Sequence, residues 1–423
     1  MKFSFLLIFL ILTIQLSFSQ NFKCGTAYYD SFIERGGYDK KTIPNNFQEI
    51  INRSKVEGKI IIPTVIHVIH YGTYGDIDTN QILDGLRVIN EDFSRTNIDS
   101  GETRDLFKNI AADVGIEFRL AQLDSNGNPT SGIVIIDTNI TPHPEPVDED
   151  FDNVKFLTHW PPDQYYNIWI VRNIQDGVNG YAQYPGTDFD YGGPWNTWGV
   201  IVRHNQWGTI GTATDEGRTA THEIGHSLGL YHTFLSASAN CGAECDTTGD
   251  EVCDTPPCKL SFNCSYSSNT CSNDSLGPSA YTFDSLDQLE NFMSYNDCQN
   301  MFSQGQKDRM LGYIASFPTI QNLISTDNLF ATGTLYPNGV NAKTNQDEYL
   351  YIYPNPTSNY LNIISHVSDT EKSAINIFDV TGKQIYSGPL DNKIEVSTWS
   401  TGLYFLHLIT SQNSTTKRFL VAQ

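Results

Sequence analysis

Three histidines within eleven residues place the tightest demand on how this chain can fold: His222-Glu223-Ile224-Gly225-His226-Ser227-Leu228-Gly229-Leu230-Tyr231-His232. Two histidines four apart on a helix lie one turn above each other on the same face, so both imidazoles can reach one metal ion. Glu223, beside the first, is placed to take a proton from a metal-bound water rather than to act as a ligand. Gly229 can enter a left-handed conformation that ends the helix sharply and swings His232 back as a third ligand. Three neutral histidines with one position left open is the arrangement of catalytic zinc, whereas structural zinc sites are closed by four protein ligands. The competing reading is an amphipathic helix that carries its histidines on the surface.

A second stretch, Asn291-Phe292-Met293-Ser294-Tyr295, lies downstream in a chain that has only four methionines. The two together resemble the metzincin metallopeptidases, whose long zinc motif is followed by a methionine turn. Within them the chain is most similar to the pappalysin family, its ulilysin-like members in particular. The likeness rests on Ile66-His67-Val68-Ile69-His70, the Asn90-Glu91-Asp92-Phe93 helix, the zinc motif with Thr233-Phe234, Gly249-Asp250 to Asp254-Thr255-Pro256, and Asn291 to Met310. It implies an α/β (α+β) metzincin domain with a twisted mixed sheet and a zinc helix. It also implies Met293 beneath the metal as a soft cushion and Tyr295 beside it, with its phenol available to an oxyanion.

The 423 residues can hold more than one domain. Lys2, the apolar run from Phe5 to Leu16 and the small Ser17 and Ser19 read as a secretory signal cleaved before Gln20, too short to span a bilayer comfortably. No later apolar run has spanning length, so the mature protein is expected to be exported without a transmembrane segment, with cysteines free to oxidise. A net charge of -22 argues against nucleic acid and anionic membranes as partners. The expected order is a signal peptide (1–19), a pro-segment (20–53), a catalytic domain (54–325), a linker (326–346) and a small β-domain (347–423), in a protein read as a monomer.

Of eight cysteines, seven lie between Cys241 and Cys298, and Cys24 stands apart in Phe22-Lys23-Cys24-Gly25-Thr26. A thiolate is a strong zinc ligand, so Cys24 can occupy the fourth position and hold the enzyme latent. The resemblance points the same way, since ulilysin-like proteins carry a cysteine-glycine pair in the pro-segment. A disulfide from Cys24 to the cysteine-rich region is the alternative. The polar stretch from Asn45 to Lys59, with Arg53, Lys55 and Lys59, suits an exposed activation site.

Ile60-Ile61-Ile62-Pro63-Thr64-Val65-Ile66 reads as a buried strand, on which His67 and His70 face opposite sides and cannot easily share a metal. Asp78 can cap a helix whose Ile82, Leu86, Ile89 and Phe93 recur at helical spacing. Further strands are expected at Ile116 to Leu120, Ile133 to Ile136, Ile168 to Val171 and Val200 to Val202. Gly180-Tyr181-Ala182-Gln183-Tyr184 falls where metzincins place the edge strand above the cleft, with Gly180, Tyr181 and Ala182 able to bind an extended peptide through main-chain hydrogen bonds. The run from Tyr184 to Trp198 reads as a loop, beside the cleft or simply on the surface.

Disulfides must replace a core between Cys241 and Cys298. The resemblance suggests Cys241 with Cys271 and Cys264 with Cys298; sequence alone does not fix the pairing. Asp246, Asp250, Glu251, Asp254 and Thr255 offer hard oxygen ligands, which suits a calcium ion, with the resemblance singling out this position; turn-forming aspartates are the alternative. Ser303 to Gln306 forms a plausible capping box before a helix bearing Met310 and Ile314. Beyond the linker, short strands at Tyr360 to Ile364, Ile375 to Val380, Gln384 to Ser387, Lys393 to Val396, Gly402 to Ile409 and Lys417 to Val421 suggest a small all-β immunoglobulin-like sandwich. Tyr353-Pro354-Asn355-Pro356, Asp379-Val380-Thr381-Gly382 and Lys417-Arg418-Phe419 resemble the sorting domain of type IX secretion cargo. That likeness implies the type IX machinery as a partner and export through the periplasm of a Gram-negative bacterium. A carbohydrate or adhesion module competes with it.

The function that follows is hydrolysis of peptide bonds in protein or peptide substrates, with His222, His226 and His232 holding zinc, Glu223 as general base and Tyr295 at the oxyanion. The resemblance also matches Asp297 to the acidic floor of the pocket for the residue after the cut. A buried carboxylate there would favour Arg or Lys and explain self-processing before Arg53 or Lys55. A solvated turn residue is the other reading. Two other function classes stand beside it: a secreted binding protein with a purely structural zinc site, and a zinc hydrolase acting on a different bond.

Overall fold

The computed structural model describes Cys24, Thr26 and residues 45–56, 58–140, 153–174, 177–184, 198–235, 241, 245–246, 249–272, 274–275, 277, 279–335, 349–353, 356–366, 373–391, 393–410 and 414–422. The signal peptide, the rest of the segment before Asn45, the loop at 185–197 and the later part of the linker lie outside the described residues. The chain divides into two compact units, Met1–Val340 and Asn341–Gln423.

The first unit begins with helix α1 (Phe47–Arg53) and strands β1 (Lys55–Val56) and β2 (Lys59–His70). Helix α2 (Thr79–Phe93), a short helix α3 (Asp105–Lys108), and strands β3 (Ala111–Ala112), β4 (Ile116–Leu120) and β5 (Ile133–Asp137) follow. After helix α4 (Asn153–Leu157) come β6 (Tyr166–Val171), β7 (Gly180–Ala182) and β8 (Gly199–Arg203), and then helix α5 (Arg218–Ser227). The main sheet runs β1-β2-β6-β8-β7, with β4 and β5 pairing in turn along β2. Strand β2 is parallel to β4, β5 and β6, and β6 to β8, whereas β1 and β7 run antiparallel to their neighbours. Parallel strands covered on both faces need continuous β-branched and apolar runs, and every residue of β2 from Ile60 to Ile69 is buried. Asp78 caps α2 by accepting from Gln81 N at 2.8 Å, and Ile82, Ile89 and Phe93 enter the core beneath the sheet. His67 is a core residue, with its ring nitrogens 2.9 Å from Asn167 Oδ1 and 3.0 Å from Thr158 Oγ1.

Three disulfides, Cys241–Cys271, Cys245–Cys253 and Cys264–Cys298, tie the segment after α5, where strands β9 (Phe234–Leu235) and β10 (Cys258–Lys259) form one parallel pair. Cys258 is left over as a buried free thiol. Strand β11 (Phe302–Ser303) pairs with β3 and leads into helix α6 (Gln304–Ser316), whose Ser303–Gln306 capping box is complete. Helices α7 (Pro318–Leu323) and α8 (Thr326–Ala331) close the unit.

Two expected boundaries move. Residues 45–53, read as part of a polar exposed segment, contain α1, and its Ile51 is buried in the main core although Arg53 stays exposed. Residues 326–335, read as linker, fold as α8 and its cap: Ser325 accepts from Asn328 N, Leu329 is buried, and the Arg119 guanidinium donates to the carbonyls of Thr334 and Leu335. The stretch reads as polar because its buried Asn328, Thr332 and Thr334 bond to backbone carbonyls.

Among its described residues the second unit holds seven strands: β12 (Tyr349–Tyr353), β13 (Tyr360–His366), β14 (Ala374–Asp379), β15 (Gln384–Pro389), β16 (Lys393–Glu395), β17 (Gly402–Ile409) and β18 (Ser414–Val421). Two antiparallel sheets, β12-β13-β16 and β15-β14-β17-β18, enclose a core of Leu361, Ile363, Ile375, Ile377, Leu406 and Phe419, which is a β-sandwich. Strand β12 was not expected. Among the described residues no helix is long and apolar enough to cross a membrane.

Candidate metal centre

Helix α5 follows Gly217, whose φ of +77° turns the chain into it. Its foot is fixed by Asp92 of α2, which pairs with Arg218 and accepts from Thr221 Oγ1 at 2.6 Å; Arg218 also reaches Asp99 at 2.7 Å. His222 and His226 project from one face. Between them Gly225 lies directly on Met293, where a Cβ would stand 2.5 Å from the sulfur, so the methionine floor leaves no room for a side chain. Met293 is completely buried. Gly229, with φ +96°, ends the helix as its N–H donates to His226 O at 2.9 Å, and Arg309 Nε braces the turn by donating to Gly229 O at 2.7 Å. The chain then reverses and returns His232.

The three Nε2 atoms converge at 3.1 Å (His222–His226), 3.0 Å (His226–His232) and 3.2 Å (His222–His232). The Nδ1 of His222 lies 2.7 Å from Phe292 O, and that of His226 lies 2.8 Å from Leu230 O. A carbonyl can only accept, so those two rings carry their proton on Nδ1 and turn Nε2 lone pairs toward one another. Burial, reinforced by His232, keeps His222 well below the ordinary histidine range and therefore neutral. Converging lone pairs at this distance repel unless a cation sits among them, which is how the donor set fits a metal ion. Phe234 stacks on His232 at 4.7 Å, and Tyr295 stands edge-on to the same ring at 4.9 Å.

Cys24 completes the group: its sulfur and the three histidine nitrogens all lie within 4.8 Å of one another, the one such cluster of metal-capable side chains among the described residues. It is a free cysteine, so the disulfide alternative does not hold. Burial, and then the Glu223 carboxylate 3.4 Å away, pushes its thiol well above the ordinary value, so a thiolate here requires a cation beside it. The segment lies against the edge strand, with Cys24 bridging Gly180 in parallel orientation. Tyr295 donates to Cys24 O at 3.5 Å.

Other candidate residues fall elsewhere. Asp250 accepts from Thr255 Oγ1 and Val252 N, Asp254 from Ser303 Oγ and Gly305 N at the start of α6, and Glu251 pairs with Arg309. Asp246 is exposed. These oxygens thus serve turns and a helix start. Asp297 is exposed. It is nonetheless near enough to add to the burial that raises the Asp215 carboxyl. Sequence reasoning missed Thr26, which meets Glu223, and Tyr184, whose hydroxyl lies 3.1 Å from His226 Nδ1. Each ends a stretch that the sequence singles out, Phe22 to Thr26 and Gly180 to Tyr184, but only the folded chain brings them to the site.

Comparison with known proteins agrees with this geometry. Residues 149–315 match the peptidase family described as pregnancy-associated plasma protein-A, and residues 351–422 match the secretion system C-terminal sorting domain. Mature mirolysin of Tannerella forsythia, solved with a cleaved peptide, is 32% identical, with 65% of this chain and 98% of that chain covered and a TM-score of 0.54. The chain belongs to the pappalysin family of metalloproteases. Another member of known structure, a promirolysin mutant from the same organism, is 30% identical over 73% of this chain and 99% of that one, with a TM-score of 0.57. An extracellular metalloprotease of Arthroderma otae is 28% identical over 61% of this chain and 78% of its own length. This pappalysin is a metalloendopeptidase, and its C-terminal sorting domain assigns it to type IX secretion, outside the cell or on its surface.

Proposed function

We propose that the protein is a zinc endopeptidase made as a latent zymogen, in which His222, His226 and His232 hold the metal and Cys24 fills the fourth position until the pro-segment leaves. The observation that carries this reading is the convergence of three Nε2 atoms, two of them oriented by carbonyls, beside a fully buried carboxylate. Zinc bound there supplies Lewis acidity to the scissile carbonyl and makes water acidic near neutrality. Glu223 takes the proton of the attacking water and passes it to the leaving amine. Tyr295 donates its phenol proton to the developing oxyanion, where a preorganised donor contributes most. Gly180, Tyr181 and Ala182 hold the substrate backbone as an added strand in the place that the Cys24 segment takes in the latent form. Similarity to promirolysin supports latency.

Replacement of Glu223 by Ala should leave zinc bound, measured by elemental analysis, and cut turnover of a peptide substrate by at least a hundredfold, within the roughly 10²–10⁴ range of general base catalysis. Undiminished turnover would remove Glu223 from its role. A finer element is a preference for Arg or Lys just after the cut. It rests on Asp297 and the neighbouring Asp215, whose carboxyl is raised by burial and by Asp297 and whose charge a basic side chain would offset. Mapping of cleavage sites in a mixed peptide library should find basic residues there, and an apolar or flat profile would end that part of the reading.

A further inference from the structure

Thr26 meets Glu223, the edge strand and Cys24 at once, and no zinc-site motif includes it. Its side chain is completely buried. Its hydroxyl donates to Glu223 Oε2 at 2.8 Å and accepts from the backbone N–H of Ala182 at 2.8 Å, while its own N–H points at Cys24 Sγ at 3.3 Å. The edge strand presses close at this point, since a Cβ on Gly180 would meet Glu223 Cγ at 2.9 Å. One residue therefore engages the sulfur, the base and the substrate-binding strand together.

We propose that Thr26 is a second latch of the zymogen, acting on the general base, and that it makes the thiolate latch possible. The proposal rests on the zinc peptidase reading above. A thiolate set 3.4 Å from a carboxylate is repelled by it, and a metal held by the sulfur leaves that carboxylate without a ligand bond of its own. Thr26 stabilises both anions, the sulfur through its N–H and the carboxylate through its O–H, and charge-assisted hydrogen bonds of this kind are the strong ones. With one Glu223 carboxylate oxygen engaged and the Ala182 N–H covered, the site is blocked even when the sulfur swings away from the metal. Release of the zymogen thus requires the whole segment to leave, and chemical modification of Cys24 alone opens it incompletely.

The test uses the full chain with Thr26→Val, which keeps the shape and loses the hydroxyl, and Thr26→Ser, which keeps the hydroxyl. Zymogen conversion is followed by electrophoresis, and hydrolysis of a peptide substrate is read before and after full activation. Thr26→Val should convert about tenfold faster or more, the effect of losing one hydrogen bond to a charged group, while Thr26→Ser stays within a few fold of the parent. All three should reach the same turnover once the segment is removed. Should Thr26→Val not be secreted, peptides spanning residues 21–31 with Thr, Ser or Val at position 26 are compared as inhibitors of the activated enzyme; the Val peptide should be at least tenfold weaker. Equal conversion or inhibition by the Val and Thr forms overturns the second latch, as does a Ser form that behaves like Val. If the activated parent cleaves no peptide, it is the peptidase reading itself that fails.

Discussion

Replacement of Gly229 by Ala tests the hinge that returns His232 to the metal. The residue sits at φ +96°, where an L side chain costs about 1–3 kcal/mol of backbone strain. The new Cβ would stand 2.6 Å from the Tyr313 ring, which must move against its packing, and such overpacking costs roughly another 1–3 kcal/mol. Tyr313 cannot retreat freely, because the Arg309 guanidinium lies over its ring at 5.2 Å and holds the Gly229 carbonyl at the same time. The expected loss is about 2–6 kcal/mol, with His232 displaced and zinc affinity lowered by a factor of ten or more. Gly115→Ala is the control: its φ of +78° carries similar backbone strain, but nothing lies within 4 Å of the added Cβ. Chemical unfolding of the two variants, with zinc content measured by competition against a chelating dye, separates strain from collision. If Gly229→Ala unfolds at the same midpoint as Gly115→Ala and retains zinc as the parent does, the hinge argument is wrong.

Asp92→Ala should destabilise the first unit by about 3 kcal/mol in urea unfolding, since it leaves the nearly buried Arg218 with Asp99 alone and Thr221 without its acceptor; a shift under 1 kcal/mol would show that α2 does not anchor the zinc helix. Burial lowers the His67 pKa to about 4, so the unfolded chain takes up that proton near 6.5 and the folded chain only near 4. Its contribution is full above pH 6.5 and falls as pH drops toward 4, by up to about 3 kcal/mol at roughly 1.4 kcal/mol per pH unit. Unfolding free energies of His67→Gln between those limits should lose that part of the slope, and a slope equal to the parent's would contradict the assignment.

Much of the site was legible because it is local. His222 and His226 share one helical face by periodicity alone, with Glu223 next to the first, and Gly229 announces the turn that brings back His232. The strands from Ile116, Ile168 and Val200 and the Ser303–Gln306 capping box are likewise written in neighbouring residues. Regular local geometry needs only short-range sequence, so these elements could be read without knowing what packs on them.

Tertiary structure decided what depends on residues far apart in the chain. Gly225 reads as an ordinary helix glycine until Met293 is found against it, and the partners of the aspartates near Asp250, among them Ser303, Gly305 and Thr255, appear only in the fold. The helix at Thr326–Ala331 exists because Arg119 and Gln122 receive its end. Thr26 gained its role only when nearly two hundred residues of intervening chain set it beside Glu223. Hydrogen bonds and close packing between distant segments carry no periodicity, so the sequence by itself determined the histidine cluster and the helix that bears two of its members, and the fold alone determined what orients, floors and covers them.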